Sequence, residues 1–312
     1  MRVITFDSHT SSLGPSVFAI GVFDGVHLGH QALIAATVAD ARERACAPVV
    51  VTFDRDPDQV VTPDSAAPQL LTLEDKCTFL GQAGADTVLV VPFDAAVAAM
   101  SPAAFTDSVL MQALSPVTAH VGIDFKFGHF AEGDIATLAQ LGSDRGFDVI
   151  GHDLVAHDGA PVTSTRIRAL VASGDVAAAN VLLDRAHRVS GRVVHGRGIG
   201  VSLLGIPSAN ITPHRFAALP ADGVYAGRVS TAGATYPAGV SVGIPPTFPE
   251  ARDVLEAHLI GFDGDLYGHE VTVEFVERIR GQQPFRTPEE LAEAIRSDLD
   301  AVRVGLNGGD HR

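Results

Sequence analysis

Two histidines three residues apart, His27 and His30 in GVFDGVHLGHQALI, follow an apolar run and open a helical pattern. A strand that passes through glycine-rich turns into a helix N-terminus gathers unpaired backbone N–H groups and the positive end of a helix dipole. Both favour a phosphate. Gly29 lets the backbone come close to such an anion. Imidazoles at i and i+3 share one side of a helical turn, and each can donate a hydrogen bond to a phosphate oxygen. Phosphoryl and nucleotidyl transfers ask for positioning and charge stabilisation more than for a protein nucleophile. Zinc binding is the competing chemistry, weakened because the pair has no Cys or carboxylate at ligand spacing. Two ordinary surface histidines are the third reading.

The elements that must hold these residues follow from the chain pattern. In the first half, the β-branched runs SVFAIGVFD, APVVVTFD, DTVLVVPFD and VTAHVGID alternate with helical stretches, which reads as a parallel sheet with crossover helices. Ile34, Val38, Ala41 and Ala45 recur at helical spacing and predict one apolar face on the helix that His30 begins. A further helix is expected within TSTRIRALVASGDVAAANVLL, running to about Leu183. Beyond Arg185 the texture changes to short strands broken by Gly, Pro and Asp-Gly turns, an antiparallel barrel or sandwich. The boundary is expected near residues 184–188. A last helix starts at TPEELAEAI, where Thr287 can cap, Pro288 fits the first turn and Glu290 closes a capping box.

Composition narrows the function classes. A chain of 312 residues with 46% hydrophobic and 19% charged residues suits two globular domains of an enzyme. The net charge of −15 argues against duplex nucleic acid or an anionic membrane as the main partner, since both reward a basic face. Small anionic substrates are compatible with it if positive groups gather locally. Cys46 and Cys77 are the only cysteines, too few for a disulfide framework. The start MRVITFDSHT lacks a basic segment leading into an apolar core, and no run of about 18 apolar residues occurs. The expectation is a cytoplasmic protein acting on small molecules; a homo-oligomer is left open.

The full string GVFDGVHLGH resembles the nucleotidylyltransferase signature of the bacterial bifunctional riboflavin kinase/FAD synthetases. LLTLEDKCTFL, HVGIDFKFG, Gly133–Asp134 and the TSTRIRAL segment follow in that family's order. GRVVHGRGIG, LGIPSANI, LPADGVYAGRV, VGIPPTF, LEAHLIGFDGDLYG and VEFVERIR then resemble its riboflavin kinase domain. The resemblance implies an α/β Rossmann-like nucleotidylyltransferase (FMN adenylyltransferase) domain over 1–184. It implies an antiparallel β-barrel riboflavin kinase domain over 185–306, ending in a helix, and a tail over 307–312. The implied activities are ATP-dependent phosphorylation of riboflavin to FMN and adenylylation of FMN to FAD with release of pyrophosphate, with Mg²⁺ as the metal.

Residue by residue, the resemblance assigns His27 and His30 to the ATP phosphates in the loop of Gly21, Phe23, Asp24, Gly25 and Gly29. Ser164, Thr165 and Arg166 would bind the β and γ phosphates, and Asp124 and Phe125 the flavin and adenine end. In the second domain Gly196, Gly198 and Gly200 would form a phosphate loop, with Pro207 beside it. Ser208 and Asn210 would offer hard oxygens to Mg²⁺. Glu256 would take the proton from the riboflavin 5′-hydroxyl.

Four segments depart from the family pattern. Asp56 in FDRDP stands where the family usually has a His, and Arg55 where it has a Pro. Val201 and Ser202 replace a basic residue of the kinase loop, Phe130, Ala131 and Glu132 replace basic residues before Gly133, and Ser208 replaces Thr. Losing one charged hydrogen bond costs about 1.5–3 kcal/mol, which weakens a site without abolishing it. Two alternatives to the bifunctional enzyme therefore stay open: a monofunctional FAD synthetase, and a divergent flavin- or nucleotide-binding protein.

Overall fold

The structure, a computed structural model, describes residues 1–195, 207–243 and 255–307. The chain divides into two compact units, Met1–Ser164 and Thr165–Arg312. The division falls at the start of a helix, earlier in the chain than the change of texture near residue 184.

The first unit runs β1 (Arg2–Thr5), β2 (Pro15–Ile20), α1 (Leu28–Glu43), β3 (Ala47–Phe53), the one-turn α2 (Asp58–Val61), α3 (Leu73–Gln82) and β4 (Thr87–Val91). The short α4 (Ala95–Ala98) and α5 (Pro102–Phe105) follow, then β5 (Ser115–Gly122), α6 (Ile135–Arg145), β6 (Asp148–His152) and the small pair β7 (Ala156–His157) and β8 (Ala160–Pro161). Six parallel strands form a sheet in the order β1-β4-β3-β2-β5-β6. Alternate residues feed the two faces. Phe18, Ile20, Val49, Val51, Leu89 and Val121 pack on one side with Phe105, Leu110 and Leu138, while Ala19, Val50, Val88 and Val90 meet Leu33, Ile34, Phe79 and Leu80 of α1 and α3 on the other. Both faces are thus covered, as a parallel sheet requires.

Strand order reverses beside β2, which has β3 on one side and β5 on the other. In open α/β sheets a ligand binds at that reversal, outside the carboxyl ends of the strands. The loop after β2 carries His27, and the turn after β5 carries Asp124.

Three sequence expectations need correction. Strands β1 and β6 were not anticipated; both are edge strands with mostly exposed residues, so neither shows a continuous apolar run. Ala45 does not join the buried face of α1. Ile34, Val38 and Ala41 do, but the helix stops at Glu43 and Ala45 takes a left-handed φ of 53° in the turn. The single helix expected up to Leu183 is two, α7 (Ser164–Ser173) and α8 (Val176–Leu183). Gly174, at φ +83°, breaks the path, and the Asp175 carboxylate caps α8 by accepting from Ala178 N at 3.1 Å.

In the second unit α7 and α8 lead into β9 (His187–Val194), β10 (Ala209–Pro213), β11 (Gly223–Ser230), β12 (Thr235–Val242), β13 (Leu255–Leu259) and β14 (Glu270–Arg280). These close as a barrel in the order β10-β13-β12-β11-β14-β9, every adjacent pair antiparallel. Val189, Tyr225, Val240, Leu255, Ala257 and Phe275 fill its interior. The last helix, α9 (Pro288–Asn307), is fastened by Arg280, whose Nη2 lies 2.7 Å from Asp298 Oδ2. Thr287 caps it as expected, accepting from Glu290 N at 3.2 Å. Glu290 returns its bond to the N–H of Arg286, one residue before the cap.

Candidate active sites

His27 is the N-cap of α1, and its Nδ1 accepts from the N–H of His30 at 3.4 Å. The two imidazoles stack, with centroids 3.6 Å apart and planes 17° off parallel. Phe23 meets His30 edge-on at 5.1 Å. The loop before them is tightly turned, with Phe23 at φ 55°, Gly25 at 88° and Val26 at 39°. Only the glycine adopts such a φ without strain, so the surroundings must hold the other two.

Those surroundings are specific. The buried Asp24 carboxylate accepts from Leu70 N at 3.0 Å and Leu71 N at 3.2 Å. Its own carbonyl accepts from Ser164 Oγ at 2.7 Å, which ties the start of the STR segment to the loop. Thr165 and Arg166 follow on the first turn of α7, beyond the division between the units. A Cβ on Gly29 would lie 3.2 Å from the His27 ring and 3.4 Å from Val162 O, so this close approach uses the missing side chain. Gly21 is similarly set against the Phe23 ring, at 3.3 Å.

Across the strand reversal, Phe125 N bonds Gly122 O at 3.0 Å in the turn after β5, with Asp124 exposed at its centre. The Phe125 ring stacks on Phe127 at 5.3 Å. Asp134 is the N-cap of α6, accepting from Thr137 N at 3.0 Å, and a Cβ on Gly133 would lie 2.7 Å from the Phe127 ring. The Gly133–Asp134 pair therefore has a local structural cause. Phe130, in place of a basic residue, is 83% exposed at φ 50°.

The residues after β3 differ from expectation in their surroundings. Asp56 is buried, and its charge acts on Lys76. Arg55 is committed to Asp54, with Nη2 at 2.8 Å and Nε at 3.1 Å. Burial raises the Asp54 pKa, but the bonds from Arg55 and from Phe93 N outweigh it and hold the carboxyl below its ordinary value.

In the barrel, Ala209 and Ala257 point into the core, so Ser208, Asn210, Glu256 and His258 share the outer face of β10 and β13. Asn210 is the direct cross-strand partner of Glu256. Ser208 Oγ donates to Glu256 Oε1, which brings the hydroxyl, amide and carboxylate together. Pro207 O accepts from His258 Nδ1, fixing the segment just ahead of β10. The expected phosphate loop, Gly196, Gly198 and Gly200, lies outside the described residues, as do Arg197, Val201 and Ser202. Among the described residues no three His, Cys, Asp or Glu gather as a metal site. The donors at the barrel face are hard oxygens, which suit a cation held by few protein ligands and by phosphates.

A doubly wound parallel-sheet unit with paired imidazoles at a helix N-terminus, followed by a barrel bearing a hydroxyl, amide and carboxylate cluster, defines a two-domain nucleotide-using transferase. The family model for FAD synthetase matches residues 4–166, and that for riboflavin kinase matches residues 183–306. The chain belongs to the bifunctional riboflavin kinase/FMN adenylyltransferase family. Relatives of that description are 37% identical over 297 residues in Pseudomonas fluorescens, covering 95% of this chain and 94% of the relative. In Escherichia coli K12 the figures are 36% over 298 residues, 94% and 95%. In Bacillus subtilis they are 33% over 298 residues, 94% and 93%. A crystal structure described as a macrolide-efflux protein from Streptococcus pneumoniae superposes with a TM-score of 0.85 at 27% identity, covering 97% of this chain and 99% of that one. Among the described residues of this chain no helix is long and apolar enough to cross a membrane.

Sequence reasoning missed Lys76, Thr52 and His258. Lys76 lies four residues before Leu80 and three before Phe79, so helical spacing already put a lysine on the buried stripe of α3. His258 sits two residues after Glu256, hence on the same strand face.

Proposed function

We propose that this protein phosphorylates riboflavin to FMN at the barrel and adenylylates FMN to FAD at the parallel sheet, using ATP at both. The observation that carries the reading is the presence in one chain of both constellations: the stacked imidazoles at the α1 N-terminus and the Ser208–Asn210–Glu256 cluster on the barrel.

In adenylylation the FMN phosphate attacks the α-phosphorus of ATP and pyrophosphate leaves. His27 and His30 stabilise charge on the phosphate oxygens by side-chain N–H donation, with the dipole of α1 adding to them. Ser164, Thr165 and Arg166 take the β and γ phosphates; Arg suits them because its fork is planar and always charged. The Gly21, Gly25 and Gly29 backbone lets the nucleotide approach. Asp24 shapes this loop through Leu70 and Leu71, while Asp124 and Phe125 border the flavin and adenine.

In phosphorylation Glu256 accepts the proton of the riboflavin 5′-hydroxyl as that oxygen attacks the γ-phosphate. Ser208 and Asn210 would hold Mg²⁺, which when bound neutralises phosphate charge. The family resemblance assigns the phosphate side to Gly196, Gly198, Gly200 and Pro207.

The test is incubation of purified protein with Mg-ATP and either riboflavin or FMN, followed by chromatography of the flavins. FAD from both substrates is expected. FAD from FMN alone would leave a monofunctional FAD synthetase, and no product from either would overturn the enzymatic reading in favour of a binding protein.

A further inference from the structure

Asp56, the anion in place of a family histidine, has a buried cation for a neighbour. Lys76 on α3 is only 3% exposed. Its Nζ donates to Val22 O at 3.1 Å, in the loop two residues past β2, and to Phe53 O at 2.9 Å, at the carboxyl end of β3. Val22 O also accepts from Thr52 Oγ1 at 3.0 Å. Two residues on, the Asp24 carboxylate is held by Leu70 N and Leu71 N. The segment from Leu70 to Lys76 therefore grips the loop on both sides of Phe23. That grip explains how Phe23 is kept at φ 55°, where its ring meets His30 edge-on.

An ammonium this deeply buried needs hydrogen bonds and opposite charge to offset its lost hydration. The two carbonyls supply the first. We propose that Lys76 is the positioning residue of the His27–His30 site and that Asp56 is its charge partner, an inference that rests on the adenylyl-transfer reading of that site. On this view Asp56 acts inward on the lysine, so its presence does not oppose phosphate binding as an exposed carboxylate would.

The titratable groups around Lys76 come from three elements. Asp56 and Asp54 lie after β3, Asp24 lies in the loop after β2, and Cys77 is on its own helix; Arg55 is bound to Asp54. Burial pushes the lysine pKa below its ordinary value, and Asp56 is the largest of the influences that pull it back. Removing the Asp56 charge should let the amine lose its proton at lower pH, loosening the Val22 and Phe53 contacts there.

The experiment uses the full chain and follows FMN adenylylation across neutral and alkaline pH, with riboflavin phosphorylation measured in parallel. Lys76→Met should lower the adenylylation kcat by about tenfold or more, the scale of losing hydrogen bonds to a charged group, and leave phosphorylation unchanged. Asp56→Asn should move the alkaline loss of adenylylation to lower pH, and Asp56→Glu should restore it. The imidazole NMR signals of His27 and His30, assigned with His27→Gln and His30→Gln, should shift in Asp56→Asn with the same alkaline midpoint. An unchanged pH profile and unmoved imidazole signals in Asp56→Asn would overturn the inference, as would an unchanged kcat in Lys76→Met. Should the wild type make no FAD, the site's reading fails, and the imidazole signals alone decide the role of Lys76.

Discussion

The Ser208 hydroxyl donates a hydrogen bond to the Glu256 carboxylate, joining the residue assigned to the metal with the one assigned to the proton. A donor hydroxyl keeps its oxygen lone pairs, so the same Ser208 can serve a cation while orienting Glu256. Glu256→Gln preserves an acceptor for Ser208 and removes the base. FMN formation should fall by about a hundredfold or more, the usual worth of a positioned general base, while supplied FMN still becomes FAD. A retained kinase rate would remove Glu256 from that role.

Ser208 itself gives a separable prediction. Ser208→Ala deletes one oxygen ligand and should raise the Mg²⁺ concentration needed for half-maximal kinase rate by about tenfold, from the loss of one charge-assisted contact. Ser208→Thr keeps the hydroxyl and should stay close to wild type. Metal titrations of the riboflavin kinase rate distinguish the two; equal behaviour of Ala and Thr variants would take Ser208 out of the metal site.

His30→Ala should reduce FAD formation by at least about tenfold, as loss of an anion-directed donor does, and leave FMN formation intact. The stack on His27 and the edge contact to Phe23 are lost with it, and both lie in the first unit. Equal loss of both activities would contradict the assignment of adenylylation to the parallel sheet.

How much of this was legible depended on whether the cause was local. β2, β3 and β4 are buried on both faces and read as nearly continuous apolar runs, whereas β5 sets the buried polar Thr118 and His120 between Ala119 and Val121. β1 and β6 have a free edge and exposed residues, and their short runs carried no such mark. His27 and His30 were readable because the motif and the helix start coincide in sequence. Lys76 was not, because its partners Val22 and Phe53 are brought to it only by strand order. Asp56 illustrates the same limit: its type suggested repulsion of phosphate, whereas burial beside a lysine is a tertiary fact. The break at Gly174 was visible as Ser-Gly-Asp, but the helical pattern on either side outweighed it.

Burial of His187 predicts an acid-sensitive barrel. Its Nε2 donates to Ala218 O at 2.8 Å and its backbone N–H to Asn180 Oδ1 at 2.6 Å. Complete burial pushes its pKa down to about 4, with the Ala218 bond opposing slightly and the Arg185 charge adding to the fall. In the unfolded chain the imidazole titrates near its ordinary value of about 6.5. The unfolded state therefore takes up the proton first as pH falls. The contribution of neutral His187 is complete above about pH 6.5 and is lost progressively down to about 4, a total on the order of 3 kcal/mol. His187→Gln retains an amide donor for Ala218 O and has no proton to take up, so its stability should fall less steeply over that interval. The chain has three tyrosines, Tyr225, Tyr236 and Tyr267, all in the second unit, and no tryptophan, so tyrosine fluorescence during urea unfolding reports that unit alone. Parallel pH dependences for wild type and His187→Gln would show that some other group sets the acid limit.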